Sequence, residues 1–234
     1  MVTFLAVGEK PNRDGVVYVA KLLKREGLVD DYTITEKPRE DKIYVIGDHS
    51  GTYSILRALK PPAVLSVDAH TDLMQDYFDH ASWLAYALKD RIVERASVIG
   101  AVLMIPTTER TKLWTRNVRI FPALPRTRRV RGRWRRYMNL EQHGLKVIDE
   151  ARRFLGDEIY LTIDLDVLRP EYRIARFQHG ELTLKDLLEI LEKILRDFTI
   201  VAVDIAEVSD RVARSKLGRR AVIEVFSLIR EVVS

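Results

Sequence analysis

Short uninterrupted apolar runs alternate along the chain with longer stretches whose apolar residues recur every three or four positions. Residues 2–7, 43–46, 63–67, 118–121, 159–163 and 199–203 read as buried strands, with a weaker one at 32–35 and a further apolar run at 97–105. The first strand leads into a turn through Gly8, Pro11 and Asn12. The longer stretches predict amphipathic helices. Residues 14–25 gather Val16, Val17, Val19, Ala20, Leu22 and Leu23 on one face and end at Gly27, and 51–59 stop before Pro61 and Pro62. An apolar helix spans 81–88 with His80 at its start. Residues 140–155 carry an expected buried stripe of Leu145, Ile148, Ala151, Phe154 and Leu155. Thr183 caps a helix that buries Leu184, Leu187, Leu188, Leu191 and Leu195, and a last helix runs from a cap at Ser209 or Asp210 through Val233. This alternation predicts an α/β fold in three layers, a mainly parallel sheet between helices.

The chemistry stands where the strands stop. His49 follows one strand; Asp68, His70 and Asp72 follow the next; Asp164 and Asp166, then Asp204 and Glu207, follow two more. In a parallel sheet, ligands bind beyond the carboxyl ends of the strands. Spacing by two in extended chain turns alternate side chains to one side, so Asp68, His70 and Asp72 can share a pocket. Alone, that triplet also reads as an ordinary loop, but four strands ending this way point to a common site. Carboxylates and imidazole without sulfur suit Mn(II), with Mg, Fe(II), Co or Zn as competitors. Two histidines and four carboxylates are about enough for two ions, and paired ions acidify a shared water, which predicts hydrolysis.

Composition narrows this further. The chain has 234 residues, 47% of them apolar, consistent with one domain over 1–234. No run approaches the roughly 18 apolar residues of a membrane helix, and the first strand lacks a signal-like flank, so a cytoplasmic protein is expected. With no cysteine, thiolate metal sites, iron–sulfur clusters and cysteine nucleophiles are excluded. The net charge of +5 is local: residues 110–136 hold eleven Lys or Arg and no acid, leaving the remainder acidic. That segment interleaves Trp114, Phe121 and Trp134 with its cations. Single-strand nucleic-acid binders have this composition, and so does an inter-subunit ion-pair arm, the reading favoured here. Gly8 and Gly15 lack a following Lys-Ser/Thr pair, so no phosphate loop is expected. His143 reads as a residue of an amphipathic helix, and His179, beside Gly180, stays open between loop and pocket.

The motifs GDHS at 47–50, SVDAHTD at 66–72, LTIDLDVLRP at 161–170 and VDIAEVS at 203–209 resemble, in order, the four signatures of the ureohydrolases: arginase, agmatinase and formimidoylglutamase. The resemblance implies an arginase-like fold holding two Mn(II) ions. The first takes His49, Asp68, Asp72 and Asp164, and the second takes Asp68, His70, Asp164 and Asp166. It further implies that His80 shuttles protons, that Glu207 binds the guanidinium of a small cationic guanidino substrate, and that Asp204 supports the ligands from outside. Family members commonly form trimers or hexamers, so a homo-oligomer is expected, with no membrane partner.

Four departures stand out. Arg169 replaces the aspartate that usually precedes the proline, and Ala81 replaces the glycine after the histidine. Only 46 residues precede Gly47, and the 73–79 loop is short. Asp76 and Asp79 in that loop favour agmatine over arginine as substrate. The alternatives are a metal-binding homologue with altered or lost catalysis, a metal-dependent amidohydrolase or deacetylase, and, less favoured, nucleic-acid binding through 110–136.

Overall fold

The computed structural model describes residues 2–74, 77–103, 116–130 and 133–233. Val2–Leu5 (β1) leads into Lys10–Arg25 (α1), which starts four residues before the expected helix. Pro11 sits in its first turn, where a missing N–H costs nothing, so the expected turn residues Pro11 and Asn12 are helical. Thr33–Thr35 (β2), Ile43–Ile46 (β3), Gly51–Leu59 (α2) and Ala63–Val67 (β4) follow. Trp83–Lys89 (α3) begins after His80 and Ala81, so the histidine lies ahead of the helix.

Arg95–Ile99 (β5) and Val118–Phe121 (β6) complete this half of the sheet. Thr127–Val130 (β7) and Arg133–Arg136 (β8) form an antiparallel hairpin that apolar patterning could not reveal, because its residues are mostly arginine. The helix expected at 140–155 is divided into Leu140–His143 (α4) and Lys146–Leu155 (α5). Gly144, at φ +53°, ends the first piece and leaves Leu145 exposed instead of buried.

Glu158–Asp164 (β9), Leu184–Asp197 (α6) and Thr199–Ala206 (β10) match their expected places, and Thr183 and Asp186 cap α6 reciprocally. Ser209 caps a 3-10 turn, Asp210–Arg214, rather than the final helix, Lys216–Val233 (α7).

Eight strands form one parallel sheet in the order β2-β1-β3-β10-β9-β4-β5-β6. Adjacent residues face opposite layers. Leu65, Leu161 and Val203 pack with α1, α5, α6 and α7, whereas Val64, Tyr160 and Ala202 pack with α2 and α3. This is the arginase-like three-layer architecture. The four strands whose ends carry histidines or acids, β3, β10, β9 and β4, are contiguous at its centre. Among the described residues no helix is long and apolar enough to cross a membrane. Part of the basic segment, 110–115 and 131–132, lies outside the described residues, as does Asp76.

Candidate metal centre

Sheet register decides which side chains meet. Thr162 on β9 pairs with Asp204 on β10 and with Ser66 on β4. Two positions on, Asp164 and Asp68 leave the same strands on the same side.

His49, just beyond β3, is the hub. Its Nδ1 lies 2.9 Å from Asp164 Oδ2, 3.1 Å from Asp72 Oδ2 and 3.3 Å from Asp68 Oδ2. On the other side of the ring, Nε2 is 2.8 Å from Thr162 Oγ1. Thr162 has one hydroxyl proton and donates it to Asp204 Oδ1 at 2.6 Å, so it accepts from His49 Nε2. In its neutral, metal-binding form the imidazole therefore presents the Nδ1 lone pair to three carboxylate oxygens. None of the three is aligned to hydrogen-bond Nδ1, which is buried without a partner. A lone pair and three carboxylate oxygens converging on one point repel one another unless a proton on Nδ1 or a metal ion lies between them. The donor set fits a metal ion.

A second group shares one member with the first. The ligating atoms of His49, Asp68 and Asp164 lie within 4.8 Å of one another, as do those of Asp68, His70 and Asp166. His70 Nδ1 is 2.6 Å from Asp166 Oδ2 and 3.8 Å from Asp68 Oδ1. Asp68 faces both groups, whereas Asp164 falls only in the first by this spacing. Backbone amides fix the acids: His70 N–H donates to Asp68 Oδ1 (2.6 Å), Asp166 N–H to Asp164 Oδ1 (2.8 Å) and Ala69 N–H to Asp166 Oδ1 (3.2 Å). Asp72 adopts a left-handed backbone, φ +49°, and its Oδ2 accepts from Trp83 Nε1 at 2.5 Å. The Trp83 ring lies 4.8 Å from His49.

The charges confirm that these acids crowd one another. Burial, then the neighbouring Asp68, pushes Asp72 well above the carboxylate range. Burial followed by Asp164 and Asp68 does the same to Asp166. Burial, Asp164 and Asp48 raise Glu207. Burial opposes a charge on His49, yet Asp164, Asp68 and Asp72 together raise it well above its ordinary value of 6.5. Burial likewise opposes ionisation of Asp68, but His49 outweighs it and lowers the carboxyl.

The other expected residues surround this cluster. Asp204 accepts from Thr52 Oγ1 (2.9 Å), Tyr160 OH (2.6 Å) and Thr162, so it reaches the cluster only through Thr162 and His49. Glu207, left-handed at φ +59°, is buried and accepts the His49 N–H through Oε1 at 2.9 Å. His80 stands at the rim, its side chain 45% exposed and its Nδ1 3.9 Å from Asp48 Oδ2. Its ring stacks on Phe177 at 5.9 Å and 15°. His179 sits 5.9 Å, ring to ring, from His70, so the loop after Asp166 borders the centre. Arg169 turns elsewhere, donating to the Glu181 carbonyl at 3.0 Å.

Sequence reasoning missed Thr162 and Trp83. Thr162 could have been found: it precedes Asp164 by two within a strand and so shares its face. Trp83 carries no such signal.

The chain is similar to known proteins. The profile of the arginase family matches residues 19–232. N(1)-aminopropylagmatine ureohydrolase of Thermus thermophilus is 26% identical over 174 residues, 70% of this chain and 53% of its own length. The chain thus spans about half the length of the curated relatives it matches. The structure of Helicobacter pylori arginase has a TM-score of 0.74 at 13% identity, covering 100% of this chain and 99% of that one. Proclavaminate amidino hydrolase from Streptomyces clavuligerus gives 0.74 at 17%, covering 99% and 91%. Agmatine ureohydrolase of Thermoplasma volcanium gives 0.59 at 21%, covering 95% and 70%.

Proposed function

The chain belongs to the arginase family, and from that premise we propose that it hydrolyses a guanidino compound to urea and an amine at a pair of divalent metal ions, Mn(II) foremost. The observation that carries this reading is the convergence of the His49 Nδ1 lone pair with three carboxylate oxygens, its tautomer set by Thr162 and Asp204.

In this reading His49, Asp68, Asp72 and Asp164 hold one ion, and Asp68, His70 and Asp166, with Asp164, the other. When bound, such a pair supplies water acidified to near neutrality. In the net reaction a water oxygen–carbon bond forms at the guanidinium carbon, the bond from that carbon to the alkyl nitrogen breaks, and the two protons lost by the water oxygen go to the leaving nitrogen, giving urea and an alkylammonium.

The protein's own groups divide the remaining tasks. Glu207 pairs with the guanidinium in this reading, which its burial beside the cluster and its anchor on the His49 N–H support. A substrate cation there offsets the burial and the neighbouring acids that raise its carboxyl. His80 carries a proton between solvent and the leaving amine in this reading, which its partial exposure supports. Trp83 and the α2 and α3 layer close the floor of the site against water.

The agmatine preference draws on Asp76 and Asp79. Asp79 is engaged at the entry to α3, where its Oδ1 accepts the Ala81 N–H at 3.0 Å and its own N–H donates to Ser82 Oγ at 2.7 Å.

Urea release from a panel of guanidino compounds by Mn(II)-loaded protein tests the reading. Glu207→Gln, which keeps an acceptor for the His49 N–H, should lower kcat/KM by about 100-fold or more while retaining metal. An unchanged rate would point to an amide substrate, which has no guanidinium to pair.

A further inference from the structure

A cavity of about 600 Å³ opens beside the loop that follows Asp166. Arg173 and Arg176 from that loop and Arg211 and Arg214 from the turn after β10 line it, with Asp210 among them. Its wall also includes Phe177 and His179. Both residues also touch histidines outside it: Phe177 stacks on His80, and His179 lies against His70 of the metal centre. The cavity therefore borders the metal centre at His179.

The arginines stand on a fixed frame. Gln178 is buried, donates to the carbonyls of Leu165 (2.6 Å) and Leu168 (2.9 Å), and accepts from the N–H groups of Ile174 (3.0 Å) and Ala175 (2.9 Å). Hydroxyls of Ser209 and Ser215 donate to the carbonyls of Ile174 and Tyr172, each at 2.5 Å, tying this loop to the turn after β10. A Cβ at Gly15 would sit 2.4 Å from the Ser209 backbone, so α1 presses directly on the same turn.

Positive charge is in excess there. Arg176 pairs with Glu9 at 2.9 Å, and its guanidinium lies 5.4 Å from the Phe177 ring centre. Arg211 only grazes the Ala175 carbonyl, at 3.5 Å. Arg173 and Arg214 make no ion pair among the described residues. Four guanidinium groups thus face two carboxylates, those of Asp210 and Glu9. Guanidinium forks match carboxylates in shape and charge.

We propose that this cavity receives the far end of the substrate and that this end is a carboxylate, so the protein acts on a guanidino acid and releases an ω-amino acid with urea. The inference rests on the ureohydrolase reading and adds to it the chemistry of the tail.

The test compares urea release from 4-guanidinobutyrate and from agmatine, which are close in length and opposite in tail charge, by Mn(II)-loaded wild type and the double variant Arg211→Ala/Arg214→Ala. Wild type should prefer the acid. In the variant that preference should collapse through KM, which rises by about 10- to 100-fold for the acid, rather than through kcat. Preference for agmatine, or an acid KM unmoved by the double change, overturns the proposal.

Inorganic phosphate should compete with the acid; an effect of phosphate on kcat alone would mark an independent anion site and overturn the tail assignment. Absence of urea from every guanidino compound would defeat the ureohydrolase reading itself. The cavity is then judged by calorimetry with 4-aminobutyrate, which should bind wild type and not the double variant; no binding to wild type overturns it.

Discussion

Thr162 carries one proton, and where that proton goes fixes the chemistry of His49. Because it goes to Asp204, the imidazole keeps its own proton on Nε2 and offers Nδ1 to the cluster. Thr162→Val removes the hydroxyl at nearly constant volume. It should weaken Mn(II) binding by about 10- to 100-fold, the usual effect of losing a group that orients a metal-binding histidine. Thr162→Ser should restore most of it, and metal titration followed by calorimetry reads both. Equal affinity in all three proteins would mean that the hydroxyl does not set the tautomer. The ligand candidates themselves were legible in the sequence, since His49, Asp68, His70, Asp72, Asp164 and Asp166 are all hard donors placed just past apolar runs. Thr162 and Trp83 were not read, because their roles depend on which strands pair and on what α3 covers.

Elements were legible where the hydrophobic period was unbroken. The strands β3, β4 and β6 and the helix α2 fall where apolar runs and the Pro61-Pro62 stop placed them. The reading failed where backbone conformation overrode pattern: Gly144 breaks one helix, Pro11 begins another early, and an arginine-rich hairpin has no apolar alternation to betray it. The loop after Asp166 is a further case. A Cβ on Gly180 would sit 1.8 Å from the Val167 carbonyl oxygen, and the Gly180 N–H donates to the Asp166 carbonyl at 2.9 Å. Gly180→Ala must push the two backbones apart and should destabilise the protein by about 3 kcal/mol. Denaturant unfolding checks this, and a cost within experimental error would show that the loop yields easily.

At the scale of the whole molecule, the crowded acids make metal-free stability depend on pH. Asp72, Asp166 and Glu207 ionise near pH 4 in an unfolded chain, but burial raises them in the folded one. Across the interval between, the folded protein holds more protons, so raising the pH favours unfolding. His49, raised above its ordinary 6.5, adds to this: its stabilisation is complete below that value and is lost as pH climbs through the folded one. Asp68, being lowered, contributes in the opposite sense only in the acid range below its ordinary 3.8. The melting temperature of metal-free protein should therefore fall from pH 5 to 8. Mn(II), which takes deprotonated ligands, should raise it by a growing margin over that range. A metal-free melting temperature that climbs with pH would contradict this arrangement of charges.

The most direct test of the binuclear hydrolase is the rate of urea release from the preferred guanidino substrate as Mn(II) is added stepwise to metal-free protein at neutral pH. A two-ion site should give little urea at low loading and a rate that levels off at two equivalents per chain. Full activity at one equivalent, or no urea at any loading, would contradict it.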